Sequence, residues 1–577
     1  MRESQEVAPM STVPKFKAII LLTRGTNQSP EDFRRWWLDH HAPLARQLPG
    51  LRGLTFNLVA PGLNGADDLA YDGVSELWFD SREAFDAAYA TDLGKKVASD
   101  SLQHVSGAKV QDILKSDTRP VPKAFLDFAS PYVGSEEVPK SRFTSPEFAA
   151  LEKQYVWMKT WQFACLEDEL KEPGSHVVYD VADESLIIIR GKDGQIRALH
   201  NACMHRGTRL ADDEGRVDTF VCPFHGWEWD NKGDLVNVPG SWDFPQFIHG
   251  SKPTCLPQAK VAVWDGIVFV NFDQNAKPFE EYAAKLIEHF KEFPLSKRYK
   301  AFHAVKEVEC NWKVLMEAFS EGYHVLVTHP QIVPFCGDEN SEYSIYPDNP
   351  EVSRFFNPFG VQSPHLLEQL SEETIAEEFV AFSSRSRGYS DQTRPEVPSG
   401  IEARAYVADT FRQRMSAMFR ANLDNYSDSE ILDAVLYHLF PAFSPWAGIG
   451  QPLMYRWRPG RTPDTAFMDV IRMVAVPDNE PKPDPAPTTK LRRDQRWVEA
   501  PGMAGLADVF EQDMSNVPFV QQGLKSTGKK TVTYANYMEG RLRHFHKLID
   551  TYIEAGLRAD GKSLDVLDAH RVGAQVD

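Results

Sequence analysis

The sequence predicts an α+β protein in three structured parts, and three observations carry that prediction. Residues 155–275 hold short apolar runs broken by turn residues, the pattern of an all-β domain. Residues 15–115 combine strand-like runs with stretches of helical periodicity, as a small α+β unit does. Residues 276–577 mix helices and strands again, and an antiparallel sheet is expected among them. At 577 residues the chain is long enough for about three to four domains. The expected boundaries are a disordered N-terminus at 1–14, a first domain at 15–115, a Pro- and Ser-containing linker at 116–150, a β-rich domain at 151–275 and a last domain at 276–577.

In the first part, residues 16–22 read as a strand. Ser29-Pro30-Glu31-Asp32 reads as a helix start, with Ser as the cap, Pro in the first turn and acidic side chains at the positive end of the helix dipole. Phe33, Trp37, His40, His41 and Leu44 fall near one helical face. Pro43 disfavours helical geometry at Ala42, so the helix is expected to end or kink there. Residues 54–59 and 74–79 read as strands, and Ser81 as the cap of a helix over 82–89. In the β-rich part, two apolar runs flank Asp265-Gly266, a strong hairpin turn. Residues 478–494 carry many Pro and charged side chains and are expected to form a mobile surface loop. No internal repeat is found.

With 82 acidic and 63 basic side chains, the formal net charge is −19. Such a surface repels nucleic-acid phosphates and anionic lipid, so neither partner is expected. It permits docking of a protein with a basic patch. Residues 1–14 are polar, with no apolar core of a signal peptide. No run approaches the ~18 apolar residues that span a bilayer. A cytoplasmic protein is expected. In that reducing setting Cys165, Cys203, Cys222, Cys255, Cys310 and Cys336 read as buried thiols and metal ligands rather than as disulfides.

The strongest signal is Cys203-Met-His205, followed after 16 residues by Cys222-Pro-Phe-His225. Two loops each offer one sulfur and one imidazole. Thiolates suit ferric iron, and neutral imidazoles on a second iron lower the negative charge and ease reduction. Gly207 and Gly226 follow within two residues of the histidines, where tight loops need small residues. Zinc also takes two Cys and two His. Against zinc stand the short C-x-H limb and the β-rich surroundings.

These residues resemble the Rieske [2Fe-2S] motif of ring-hydroxylating oxygenase large subunits. The similarity runs from about Trp157 to Asp273, including Trp264-Asp-Gly-Ile-Val-Phe-Val-Asn271. The resemblance implies one cluster per chain, held by Cys203, His205, Cys222 and His225.

A second constellation follows. Cys310-Asn-Trp-Lys313 precedes Glu317, Glu321 and His324, and His329 comes five residues further on. Two His with a distant carboxylate suit a facial triad that leaves Fe(II) positions open for O₂. Glu321 and His324 are expected as i, i+3 neighbours on one helix face. Pro330 takes His329 out of helical geometry, so it turns back at the helix end. Asp513 is the expected third ligand. Glu511 competes, but on a helix it points about 160° away from Asp513. The family resemblance covers residues 155–550. It implies a helix-grip-like catalytic domain, a mononuclear Fe(II), and Glu321 as the carboxylate between His225 of one subunit and His324 of the next. Many members carry Asp at the Glu321 position.

Phe319, Tyr323, Phe335, Phe440, Phe443 and Trp446 are expected near the site, which suggests a small apolar or aromatic substrate. Mono- or dihydroxylation and oxidative demethylation all stay open. No Gly-x-Gly-x-x-Gly follows a strand, so electrons are expected from a separate NAD(P)H-dependent reductase, with or without a ferredoxin. The alternative is a Rieske electron carrier whose C-terminal part only binds ligands.

Trp36-Trp-Leu-Asp-His-His-Ala-Pro-Leu44, with Asp72-Gly-Val-Ser-Glu-Leu-Trp-Phe79 and Asp100, resembles the EthD family of ferredoxin-like folds. His40 and His41 are read as packing and capping residues of an interaction module. The oxygenase resemblance implies a homotrimer, and paired EthD-like domains would make it a hexamer.

Overall fold

The computed structural model describes residues 16–22, 24, 29–58, 72–104, 110–245, 255–366, 368–387, 394–477 and 480–574. The expected disordered segment at 1–14 lies outside them. Two compact units result. One comprises Met1–Lys115 with Ser130–Ser135, the other Ser116–Ala129 with Glu136–Asp577. Among the described residues, no helix is long and apolar enough to cross a membrane.

In the first unit, Gly73–Phe79 is the central strand of an antiparallel sheet, flanked by Phe16–Leu22 and Gly53–Leu58. Its side chains alternate between full and partial burial, as a sheet with one covered face requires. Ser29 caps the helix Pro30–Arg35 by accepting from the Asp32 N–H at 3.1 Å. The expected break at Pro43 does not occur, for Ala42 keeps helical angles, φ −59° and ψ −43°. The chain instead widens into a π-helical stretch over Trp36–His41 before continuing as Ala42–Ala45. A wider turn makes room for the ring of Pro43, which has no N–H to donate. Burial of Trp36, Trp37 and His41 holds that turn in place.

In the second unit, residues expected as a linker are packed structure. Lys123–Leu126, Ser141–Thr144 and Pro146–Glu152 are helical, and Phe125, Val138, Phe143 and Phe148 are buried. Two charged side chains of this stretch are interior. Arg142 bonds Asp550 at 2.5 Å and the His546 carbonyl at 2.7 Å, and Asp117 pairs with Arg404 at 2.8 Å.

The β-rich part is a seven-stranded sheet in the order Gln162–Leu166, Ile267–Asn271, Gln258–Trp264, Ile196–His200, Glu184–Arg190, Ser175–Val181, Gly215–Arg216. The Asp265-Gly266 hairpin has φ of 50° and 82°, the two left-handed positions of a type I′ turn. A three-stranded sheet, Thr219–Val221, Glu228–Asp230 and Leu235–Asn237, is inserted in the sequence between its strands Gly215–Arg216 and Gln258–Trp264.

The last part is built on an eight-stranded sheet with the long strands Arg298–Val308, Ala466–Ala475 and Leu453–Pro459 adjacent and antiparallel. The helix Gly540–Ala559 buries Leu542, Phe545, Ile549 and Ile553. The loop expected to be mobile is partly pinned. Thr489–Leu491 joins the sheet edge parallel to Arg298–Val308, and Lys482 and Lys490 pair with Asp168 and Asp213 at 3.0 and 2.5 Å. Its prolines cannot donate to a ladder, but its lysines find carboxylates on the β-rich part.

Candidate metal centres

The two cluster loops are built alike. Gly207 N–H bonds the Cys203 carbonyl at 2.8 Å, and Gly226 N–H bonds the Cys222 carbonyl at 3.0 Å. Both glycines have positive φ, 80° and 75°, which closes each loop around its ligands. Cys203 and Cys222 are buried, and the rings of His205 and His225 lie 4.6 Å apart. Trp227 stacks on His205 at 5.0 Å and 5°. His205 Nδ1 is buried without a hydrogen-bond partner. A buried polar atom left unpaired is costly, and a metal bond removes the cost. Burial raises the Cys222 thiol, yet the N–H groups of Phe224 and His225 outweigh it and hold the thiol below its ordinary value. Burial and the neighbouring Cys222 push the Cys203 thiol up, so the pair by itself favours one thiolate, on Cys222. The four residues fit a two-iron cluster.

At the second centre the helix Trp312–Glu317 stops before Glu321, and His324 caps a separate short helix, Val325–Thr328. Glu321 and His324 therefore do not share a helix face. The Glu321 carboxylate instead folds back, accepting from the N–H groups of Tyr323 and His324 and facing His324 Nδ1 at 2.7 Å. Its hydrogen bonds satisfy the backbone where the helix is broken. His329 closes the short helix with non-helical angles, φ −124° and ψ 55°, before Pro330.

Asp513 is buried on the helix Ala507–Met514. Its Oδ1 lies 3.0 Å from His329 Nε2 and 3.8 Å from His324 Nε2. One ligand atom from each of the three residues falls within 4.8 Å of the others. His329 Nδ1 faces Gln512 Oε1 at 2.8 Å, and Gln331 donates to the same oxygen at 2.7 Å. Each imidazole thus has Nδ1 taken by a neighbour and Nε2 turned to Asp513. Outer partners of this kind fix the tautomer and orient the ring toward a metal. Burial lowers the His324 pKa, but the carboxylates of Glu321 and Asp513 outweigh it and lift it to about 9. The same negative field attracts a metal dication. Glu511 turns away, accepting from the Trp497 N–H at 2.6 Å.

A cavity of about 220 Å³ opens beside His324 and Asp513, walled by Val314, Ala318, Val517 and Leu542 and by Glu317, Glu321 and Glu539. None of the six expected aromatic residues lines it. Phe319 packs on Tyr455 and Phe510, Phe335 joins a separate cluster with Phe379, and Phe440 stacks on Tyr552. Phe443 and Trp446 pack on Phe163 and Tyr455, and Tyr323 is 53 % exposed. For Phe319 and Tyr323, nearness in sequence misled because the chain leaves the helix after Glu317. The sequence reading gave no role to Gln512, or to Glu317, which it named only as part of the constellation. Gln512 had one usable signal, its place next to Asp513.

In the first unit His41 is buried, with Nδ1 2.6 Å from Asp100 and Nε2 3.2 Å from the Ser101 hydroxyl. His40 is exposed.

A β-sheet domain presenting two Cys–His loops, followed by a His–His–Asp centre, carries donor sets that fit two distinct metal centres. Three family matches make this specific: the Rieske [2Fe-2S] domain over residues 160–247, the ring hydroxylating alpha subunit catalytic domain over 293–555 and the EthD domain over 26–106. The chain belongs to the Rieske-type ring-hydroxylating alpha subunits and carries an EthD domain as well. These domains imply a [2Fe-2S] cluster and a mononuclear iron. Among curated relatives, the carnitine monooxygenase oxygenase subunit of Acinetobacter pittii is 30% identical over 200 residues, 33% of this chain and 52% of that one. The chlorobenzene dioxygenase subunit alpha of a Cupriavidus species is 29% identical over 194 residues, 32% of this chain and 42% of that one. The matched stretch spans about half the length of these relatives. A naphthalene 1,2-dioxygenase variant bound to phenanthrene shares the fold, with a TM-score of 0.51 at 18% identity over 76% of this chain and 96% of that one.

Proposed function

We propose that this chain is the terminal oxygenase component of a multicomponent Rieske non-haem iron oxygenase. It inserts oxygen from O₂ into a small organic substrate, using electrons from a separate reductase, with or without a ferredoxin. One observation carries the reading: His324, His329 and Asp513 converge with both Nε2 atoms directed at one point. An electron carrier has no use for a second centre of this kind.

Cys203, His205, Cys222 and His225 would hold the cluster, and His324, His329 and Asp513 the ferrous ion. When bound, the cluster supplies single electrons and the ferrous ion supplies dioxygen activation. The chain's own residues do the rest. Glu321 and Gln512 orient the two imidazoles. Val314, Ala318, Val517 and Leu542 give the cavity an apolar face, which supports a compact substrate with an apolar part. About three irons per chain and substrate-dependent O₂ uptake are expected. Two irons and no uptake would establish the carrier instead.

Glu321 is proposed to face His225 of a second copy of this chain, in a head-to-tail trimer. Exposed apolar side chains at both centres support this: Phe224 and Trp242 near the cluster, the latter 80 % exposed, and Leu326 and Val327 near the iron site, the latter 82 % exposed. Light scattering is expected to give three chains, or six if the EthD domains pair. A single chain with full turnover sinks the assembly. Glu321→Gln should retain both metals and slow single turnover by about tenfold or more. An unchanged rate removes the bridging role.

A further inference from the structure

The cavity beside the His–His–Asp centre has an acid that the ligand set does not use. Glu317 ends the helix Trp312–Glu317 and forms part of the cavity wall, with its side chain 14 % exposed. Its Oε1 lies 2.8 Å from His546 Nε2, and the Tyr534 hydroxyl donates to its Oε2 at 2.9 Å. His546 is wholly buried, and its Nδ1 accepts from Arg142 at 3.1 Å. The hydrogen of that imidazole therefore sits on Nε2 and points at Glu317. Tyr534 and Glu539 line the same cavity, and Glu539 is half-buried.

The charged groups around Glu317 do not ionise it at neutral pH. Burial is the largest influence and raises it, and Glu539 raises it further. The Tyr534 hydrogen bond, Lys313 and Arg142 lower it, and the balance lies at about 8. Lys313 is partly spent, since its ammonium is bonded to Glu152 at 2.8 Å. Glu321 faces the same cavity, with its Oε1 turned to His324. A neutral carboxylic acid therefore stands in the wall beside the metal-ligand set, already surrounded by the donors that would stabilise its anion.

We propose that Glu317 is the acid that delivers a proton into the cavity during turnover, and that Tyr534 and Glu539 relay its replacement from solvent. The inference rests on the oxygenase reading above. Each O₂ used in hydroxylation consumes two electrons and two protons, whether one oxygen atom leaves as water or both enter the substrate. The electrons come from the reductase. The two protons leave the Glu317 carboxyl one after the other, and each time the anion formed accepts from Tyr534 and His546 until the relay reprotonates it. The Tyr534 hydroxyl both accepts and donates, and its oxygen also lies 3.3 Å from His546 Nε2, so it passes its own proton to Glu317 and takes another from the cavity that it and Glu539 line. Proton delivery by a placed acid contributes about 10²–10⁴-fold in rate.

The test compares Glu317→Gln and Glu317→Asp with the wild type. In metal-free wild type, infrared spectroscopy should show a protonated carboxyl band that disappears on titration near pH 8, and the Gln variant should lack it. The raised pKa means the folded state holds an extra proton between pH 4.5 and about 8, so wild-type stability falls as pH rises through that window. The thermal midpoint of metal-free Glu317→Gln should fall less over the same range. In the loaded proteins, Glu317→Gln should keep its iron and its cluster reduction while O₂ consumption drops by about 100-fold or more. Glu317→Asp should recover part of that rate with a shifted pH profile. Absence of the infrared band from wild type, or a Gln variant within twofold of the wild-type rate, overturns the role of Glu317 alone. A wild type that consumes no O₂ with any donor and substrate overturns the oxygenase reading and this role with it.

Discussion

Replacing His324 by Ala should abolish turnover and leave the absorption spectrum of the cluster unchanged. His324 supplies one of three converging donors, and its loss leaves His329 and Asp513 as a two-ligand site. It also strips Glu321 of the imidazole it orients. Losing an outer partner of a metal ligand already costs about 10–100-fold, and losing the ligand itself should cost more. Iron should fall from about three per chain to about two. The cluster should survive because its loops are closed by their own bonds, Gly207 to Cys203 and Gly226 to Cys222. A bleached cluster in this variant would contradict two independent centres, and retained turnover would remove His324 from the site.

Arg404→Ala should cost about 3–5 kcal/mol of stability, the usual effect of removing one partner from a buried ion pair. Arg404 lies on the helix Ala403–Phe419 and bonds Asp433 at 2.7 Å, Asp117 at 2.8 Å, the Ser429 hydroxyl at 3.1 Å and the Phe359 carbonyl at 2.7 Å. Both carboxylates are fully buried. Burial raises Asp433 to about 6 even with Arg404 present, and Asp117 adds to the rise. Without the guanidinium, two buried carboxylates are left with no cation between them. The folded-state pKa of Asp433 would rise further, so the deficit should grow with pH, smaller at pH 5 than at pH 8. Urea unfolding at both pH values measures it. A loss under about 1 kcal/mol at pH 8 would show that solvent reaches this network.

Much of the fold was legible where a local rule acts alone. Ser29 and Ser81 cap their helices because a hydroxyl on an extended residue meets orphan N–H groups whatever lies further away. Asp265-Gly266 forms its turn because the two residues tolerate left-handed angles. Rules failed where packing outweighed them. Pro43 was expected to end a helix, but buried Trp36 and Trp37 keep the chain helical through a widened turn. Residues 116–150 looked like a linker because they contain Pro and Ser and lack clear periodicity, whereas Asp117 and Arg142 are paired inside the second unit. The helix drawn through Glu321 and His324 is broken because the Glu321 carboxylate competes for the backbone N–H groups.

By itself, the sequence determined the kinds of ligand and their local order: two Cys–His limbs and a His–His pair before Pro330. Such limbs are short, and their spacing is dictated by what one loop can wrap around a metal. Only the tertiary structure decided what surrounds them. Gln512 meets His329 across 183 positions, and His546 meets Glu317 across 229. No local pattern encodes such meetings, because they follow from how the sheet and the C-terminal helix bury their apolar faces together. The protonation of Glu317 and the shape of the cavity are consequences of that burial.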